Sequence, residues 1–195
     1  MELDNFKLSF FVIDNMRKVL SFVAIFFICY WTPVFAQNGS VIHYEAKTYK
    51  ISFPGEPKKM TQNVPSEVGQ LNMIIAMYEP QANDDNHIYM IAETDYPDSS
   101  IHSDKTEMLD KFFRGAIDGA LKNLNSDLIK EVPGHVGKYP SRSIEIDYKK
   151  GLAVIKMELI LCKSKLISIQ TITATKKFSN PSVDKFFASF ELKTN

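Results

Sequence analysis

Cysteine is scarce in this chain, with two residues in 195: Cys29 in an apolar N-terminal run and Cys162 far downstream. That excludes a disulfide-stapled scaffold, and the lack of any Cys-x-x-Cys excludes dithiol cycling. An excess of one charge is also missing, because 23 Lys and Arg balance 23 Asp and Glu. Nucleic-acid binders gather a basic surplus on one face, so nucleic acid is not an expected partner. His43, His87, His102 and His135 are scattered and show none of the close pair spacing of zinc sites. There is no Gly-x-Ser-x-Gly elbow, no phosphate-binding glycine loop and no dinucleotide fingerprint. The sequence therefore assigns no catalytic residue, no metal site and no cofactor.

What is present begins with the N-terminal run itself. Met16-Arg17-Lys18 leads into VLSFVAIFFICYW and then TPVFAQ. A basic head, an apolar stretch and a small-residue break make up a secretory signal peptide. Residues 1–36 are read as that signal region, with cleavage before Gln37, although Val34 fits the cleavage pattern only loosely. Pro33 breaks the apolar helix just ahead. Glu2, Asp4 and Asp14 sit where the head should be basic, so translation is expected to start at Met16. The alternative is a retained anchor, for which Val19 to Trp31 falls short of the ~20 residues of a span. Phe27 and Ile28 before Cys29 do not suit lipid attachment. The expected product is exported, periplasmic or secreted, with no membrane span after cleavage and Cys162 as its single thiol.

The remainder, 37–195, reads as one domain of ordinary globular composition, at 45% apolar and 24% charged residues for the whole chain. Val41 to Tyr44 reads as a short strand. Tyr49, Ile51 and Phe53 alternate with Lys50 and Ser52, the period-two mark of a half-buried strand. Pro54 ends it, and Gly55 and Pro57 turn the chain away. Leu71 to Tyr78 and His87 to Tyr96 form two further strands around a loop rich in Asn and Asp. Ser103 or Asp104 is the expected cap of a long helix, with Glu107 completing a capping box. Met108, Phe112, Phe113, Ala116, Ile117, Ala120, Leu121 and Leu124 form its apolar stripe. A strand over Leu128 to Val132 and the loop PGHVGKYPSR follow. Next come an alternating run through Ile144, Ile146 and Tyr148, then β-rich Leu152 to Cys162 and Leu166 to Thr175. Asn180-Pro181 opens a short helix, and Glu191 to Lys193 reads as an edge strand. The expected fold is α+β: a twisted antiparallel sheet of about six strands covered by one long and one short helix.

Three stretches carry a family resemblance: FPGEP after the first clear strand, Lys138-Tyr139-Pro140-Ser141-Arg142, and the closing VDKFFASFEL. They resemble small PsbP-like exported bacterial proteins, a group sharing its fold with the photosystem extrinsic protein PsbP and a Ran-binding import factor. The likeness runs from about Tyr44 to Leu192. It implies an α/β/α sandwich and an accessory or binding role, and it transfers no functional residue.

The candidate ligand site is the loop carrying His135, Lys138, Tyr139 and Arg142, whose backbone amides and guanidinium suit an anion. The competing reading is a plain connection that needs its glycines. Asn83-Asp84-Asp85-Asn86-His87, with Glu93 and Asp95, offers oxygen ligands but lacks the order of a calcium loop. Cys162 closes an apolar strand, where cysteine acts as a small hydrophobe. The abundant Phe and Met are assigned to the core. The functional expectation is an exported binding or accessory module working through a protein or envelope partner. An envelope hydrolase or thiol enzyme using His135 or Cys162 is one alternative, and a carrier of a small apolar ligand is another.

Overall fold

The computed structural model describes residues 41–193 except positions 67, 82 and 83. The signal region, the start at Met16, the cleavage point and Asn83 lie outside the described residues. No described helix is long and apolar enough to cross a membrane.

Ten strands make two antiparallel sheets. The smaller has the order β1 (Ile42–Glu45), β2 (Tyr49–Phe53), β10 (Glu191–Leu192). The larger has seven strands. It begins at β3 (Lys58–Ser66), β4 (Gly69–Tyr78) and β5 (Asn86–Asp95), and continues through β9 (Lys165–Ala174), β8 (Ala153–Cys162), β7 (Tyr139–Tyr148) and β6 (Asp127–Val136). Helix α1 (Thr106–Leu124) lies on one face of the large sheet, and α2 (Pro181–Ala188) lies on the other with the small sheet. The α+β class holds. The sheet is larger than the six strands expected, and the second covering layer mixes a helix with strands.

Each face owns one apolar cluster. Phe113 and Ile117 of α1 bury against Ile144 and Ile146 of β7 and against Ile155, Met157, Leu159 and Leu161 of β8. On the opposite face Tyr49, Ile51, Phe53 and Phe186 meet Tyr89, Ile91, Ile160, Ile167 and Ile169. Edge-to-face ring pairs, Phe53–Phe186 and Tyr89–Phe186, each at 5.1 Å between centroids, lock α2 onto the sheet. The FPGEP junction gains a packing reason here. A Cβ on Gly55 would sit 2.4 Å from the Tyr78 ring, so only glycine lets the ring close over the turn.

Several expectations are corrected. β3 was read as no element at all: KKMTQNVPS has no apolar alternation, and it is a strand because β4 pairs with it along its whole length. PGHVGKYPSR is not a loop. β6 runs through it to Val136, a tight turn at Gly137 (φ 59°) and Lys138 follows, and β7 starts at Tyr139. Pro133 is tolerated because β6 is an edge strand, where a missing N–H costs no ladder bond. Helix α1 starts at Lys105 with no side-chain cap. Ser103 is spent elsewhere, its N–H donating to the Lys163 carbonyl at 2.8 Å, which pins the preceding loop to the β8–β9 turn. Met108 is exposed rather than part of the buried stripe. The Asn180 cap of α2 is as expected, accepting from Ser182 and Val183 N–H at 3.0 and 3.1 Å.

Candidate binding surface

The hairpin geometry separates the four residues singled out in the sequence. His135 lies opposite Pro140 and Val136 opposite Tyr139, so His135 and Tyr139 stand on opposite faces of the sheet. His135 and Lys138 are exposed. Tyr139 turns to the α2 side, half-buried beside Cys162; burial first, and then that thiol, push its phenol up from the ordinary value. Arg142 turns to the α1 side, where its side chain is 12% exposed. Its guanidinium stacks 4.8 Å from the Phe113 ring centroid, pairs with Asp110, and lies 3.5 Å from Glu131. Nη1 donates to the Ser141 carbonyl at 2.9 Å. These contacts commit the guanidinium to clamping α1 onto the β6–β7 edge. The four do not converge on one ligand.

The Asp84–Asn86 stretch forms an internal network. The Tyr89 hydroxyl donates to Asp84, Thr173 Oγ1 donates to Asn86 at 2.6 Å, and Asn180 Nδ2 donates to Asn86 at 3.0 Å. Every one of these groups is used in closing the fold, and no cluster able to hold a metal ion occurs among the described residues. Lys165 bridges Glu93 (3.3 Å) and Asp95 (2.8 Å). Burial, followed by the Glu93 carboxylate, raises the phenols of Tyr44 and Tyr49, so both stay protonated. This row was missed in the sequence. Alternation along HIYMIAETD does place Glu93 on the face of Tyr89 and Ile91, but nothing local shows that Tyr44 and Tyr49 lie above it.

The more telling feature is where the covers stop. A cross-strand row runs Met77, Met90, Gln170, Met157, Ile144 from β4 to β7 on the α1 face. Met157 and Ile144 lie beneath α1 at 4% and 1% exposure. Met77 and Met90 are half-buried, with Met73 beside them and Met60 of β3 exposed. The apolar cluster that α1 joins takes residues from β6 to β9 and none from β3, β4 or β5. Ser168 and Gln170, hydrogen-bonded at 2.7 Å, mark the border. On the opposite face the small sheet and α2 cover β4, β5, β9 and β8. There β7 carries Ser143, Glu145 and Asp147 into partial exposure beyond the cover. The partly exposed positions on β7 are therefore polar, as solvent requires, while those on β4 and β5 of the α1 face include Met73, Met77 and Met90, set among buried Ile75, Ala92 and Thr94. Apolar patches of that kind mark interaction sites, and methionine adapts to varied apolar partners.

No protein-family model matches the chain, and no curated protein matches it. Solved structures similar to it include the following two. One is protein PA94 of Pseudomonas aeruginosa, described as of unknown function and as a candidate regulator. It has 10% identity and a TM-score of 0.34 over 71% of this chain and 86% of that one. The other is the cyanobacterial PsbP of Synechocystis sp. PCC 6803, with 12% identity and a TM-score of 0.44 over 82% and 96%.

Proposed function

We propose that the protein is an exported binding or accessory module, and that a partner protein lays an amphipathic helix on the methionine-lined half of the sheet beside α1. The carrying observation is the row from Met77 to Ile144, with Met157 and Ile144 buried beneath α1 and Met77 and Met90 half-buried beyond it, beside Ile75 and Ala92, which are buried at 7% and 3%. A helix is the occupant this site fits, because α1 already solves the same packing problem on the neighbouring half. Export draws its support from the Met16-Arg17-Lys18 head and the apolar run behind it. Thiol catalysis draws less support: the Tyr139 phenol, held protonated beside Cys162, is no base for it.

The test is capture from the native envelope fraction, with wild type compared to Met77→Lys/Met90→Lys. A partner that binds wild type and is lost from the double variant, while both melt within a few degrees, is the expected result. Equal capture by both would refute the site.

A further inference from the structure

The outer edge of β3 is a second surface, and it carries its own argument, independent of the methionine face. Among the described residues β3 pairs only with β4, and all nine of its residues are exposed or half-exposed. A bare edge is a template for another strand, and proteins blunt such edges with charge, proline and bulges. The opposite edge, β6, has all three: Asp127, Lys130 and Glu131, Pro133, and a register shift between Leu128 and Lys130. β3 has Lys58 and Lys59 at one end and Pro65 near the other, with the uncharged run Met60 to Val64 between.

That run is complementary to itself. Pro65 sets the phase, since a proline in a strand takes a position whose N–H would point outward. Asn63 and Thr61, two and four residues away, then also direct their N–H and C=O outward. We propose that a second copy of this chain pairs here, antiparallel, about a two-fold axis at Gln62. Thr61 meets Asn63 of the second copy and the reverse, exchanging both ladder bonds. Lys59 donates to Pro65 of the second copy, where the missing N–H costs nothing. Met60 falls opposite Val64, so apolar meets apolar, and each lysine faces Pro65 or Ser66 rather than a lysine. Centring the axis one residue earlier would set Lys58 against Val64 and Met60 against Gln62. The pairing is isologous and closed, and it joins the two large sheets into one.

Gln62 is the residue that meets itself across the axis, and this makes the test specific. Directly opposed like charges destabilise a strand pair, while opposite charges support it. Sedimentation velocity on the full chain is expected to show a dimer. Gln62→Lys and Gln62→Glu, each melting like wild type, should each be monomeric, and an equimolar mixture should return the dimer. A wild type that stays monomeric at every concentration overturns the proposal, as do single variants that still dimerise. A mixture that remains monomeric overturns the register and, with it, the axis at Gln62.

Discussion

Met157 and Met90 occupy the same cross-strand row with only Gln170 between them, yet Met157 is 4% exposed and Met90 is half-buried. Their strands are equal in length, although β8 is the more apolar. What differs is the layer above: α1 spans β7 and β8 and stops short of β5. On the other face the offset is reversed, because the small sheet and α2 cover β4, β5, β9 and β8. Two covers shifted in opposite directions leave partly exposed positions on each face, and on the α1 face these include Met73, Met77 and Met90, while Ile75 and Ala92 beside them stay buried. Burial in this fold is set by the layer above a strand as much as by the strand's own pattern.

Phe113→Ala should break the comparison most sharply, by loosening the cover itself. The ring is fully buried and carries the Arg142 guanidinium, so a loss of about 3–5 kcal/mol is expected from denaturant midpoints. Met157→Ala, under the same helix, should cost roughly 2–4 kcal/mol.

Tyr49→Phe sharpens the contrast from the other face. At neutral pH it should cost no more than about 1 kcal/mol. Its signature is in alkali. Burial, then Glu93, raise the Tyr49 phenol, so the unfolded chain, with an ordinary value of about 10, gives up that proton first. The stabilisation is whole below about pH 10 and drains away as pH climbs above it. Melting curves of wild type should therefore fall over that range more steeply than those of Tyr49→Phe. An equal slope would mean the phenol is wetter than described.

Smallest of all, Met60→Ala on the bare half should shift stability by under about 0.5 kcal/mol. A cost near that of Met157→Ala would show that something already covers the bare half.

Most of this architecture was legible because its strands alternate and its helices carry stripes: Tyr49 to Phe53, Ile144 to Tyr148 and the Asn180 cap all announce themselves locally. β3 was not legible, since both of its faces are wet and nothing in KKMTQNVPS alternates; only β4 makes it a strand. The hairpin at Gly137 was misread because Pro and Gly usually punctuate, whereas on an edge strand they can be carried within the ladder. Of the candidate surface, the methionines were visible as residues but were assigned to the core. Periodicity reports that one face of a strand is apolar and is silent on whether a helix reaches it.

One pairing has a consequence for the order of events in assembly. β2, among the first described segments of the chain, finds its partner β10 at Glu191 and Leu192, and Asn86 waits for Asn180. A chain emerging from its N-terminus can form the hairpins of the large sheet from neighbours. It must hold β1 and β2 unsealed, with Asn86 short of its Asn180 contact, until α2 arrives. This late segment acts as the clasp, and until it fastens the polypeptide stays open to whatever handles nascent chains.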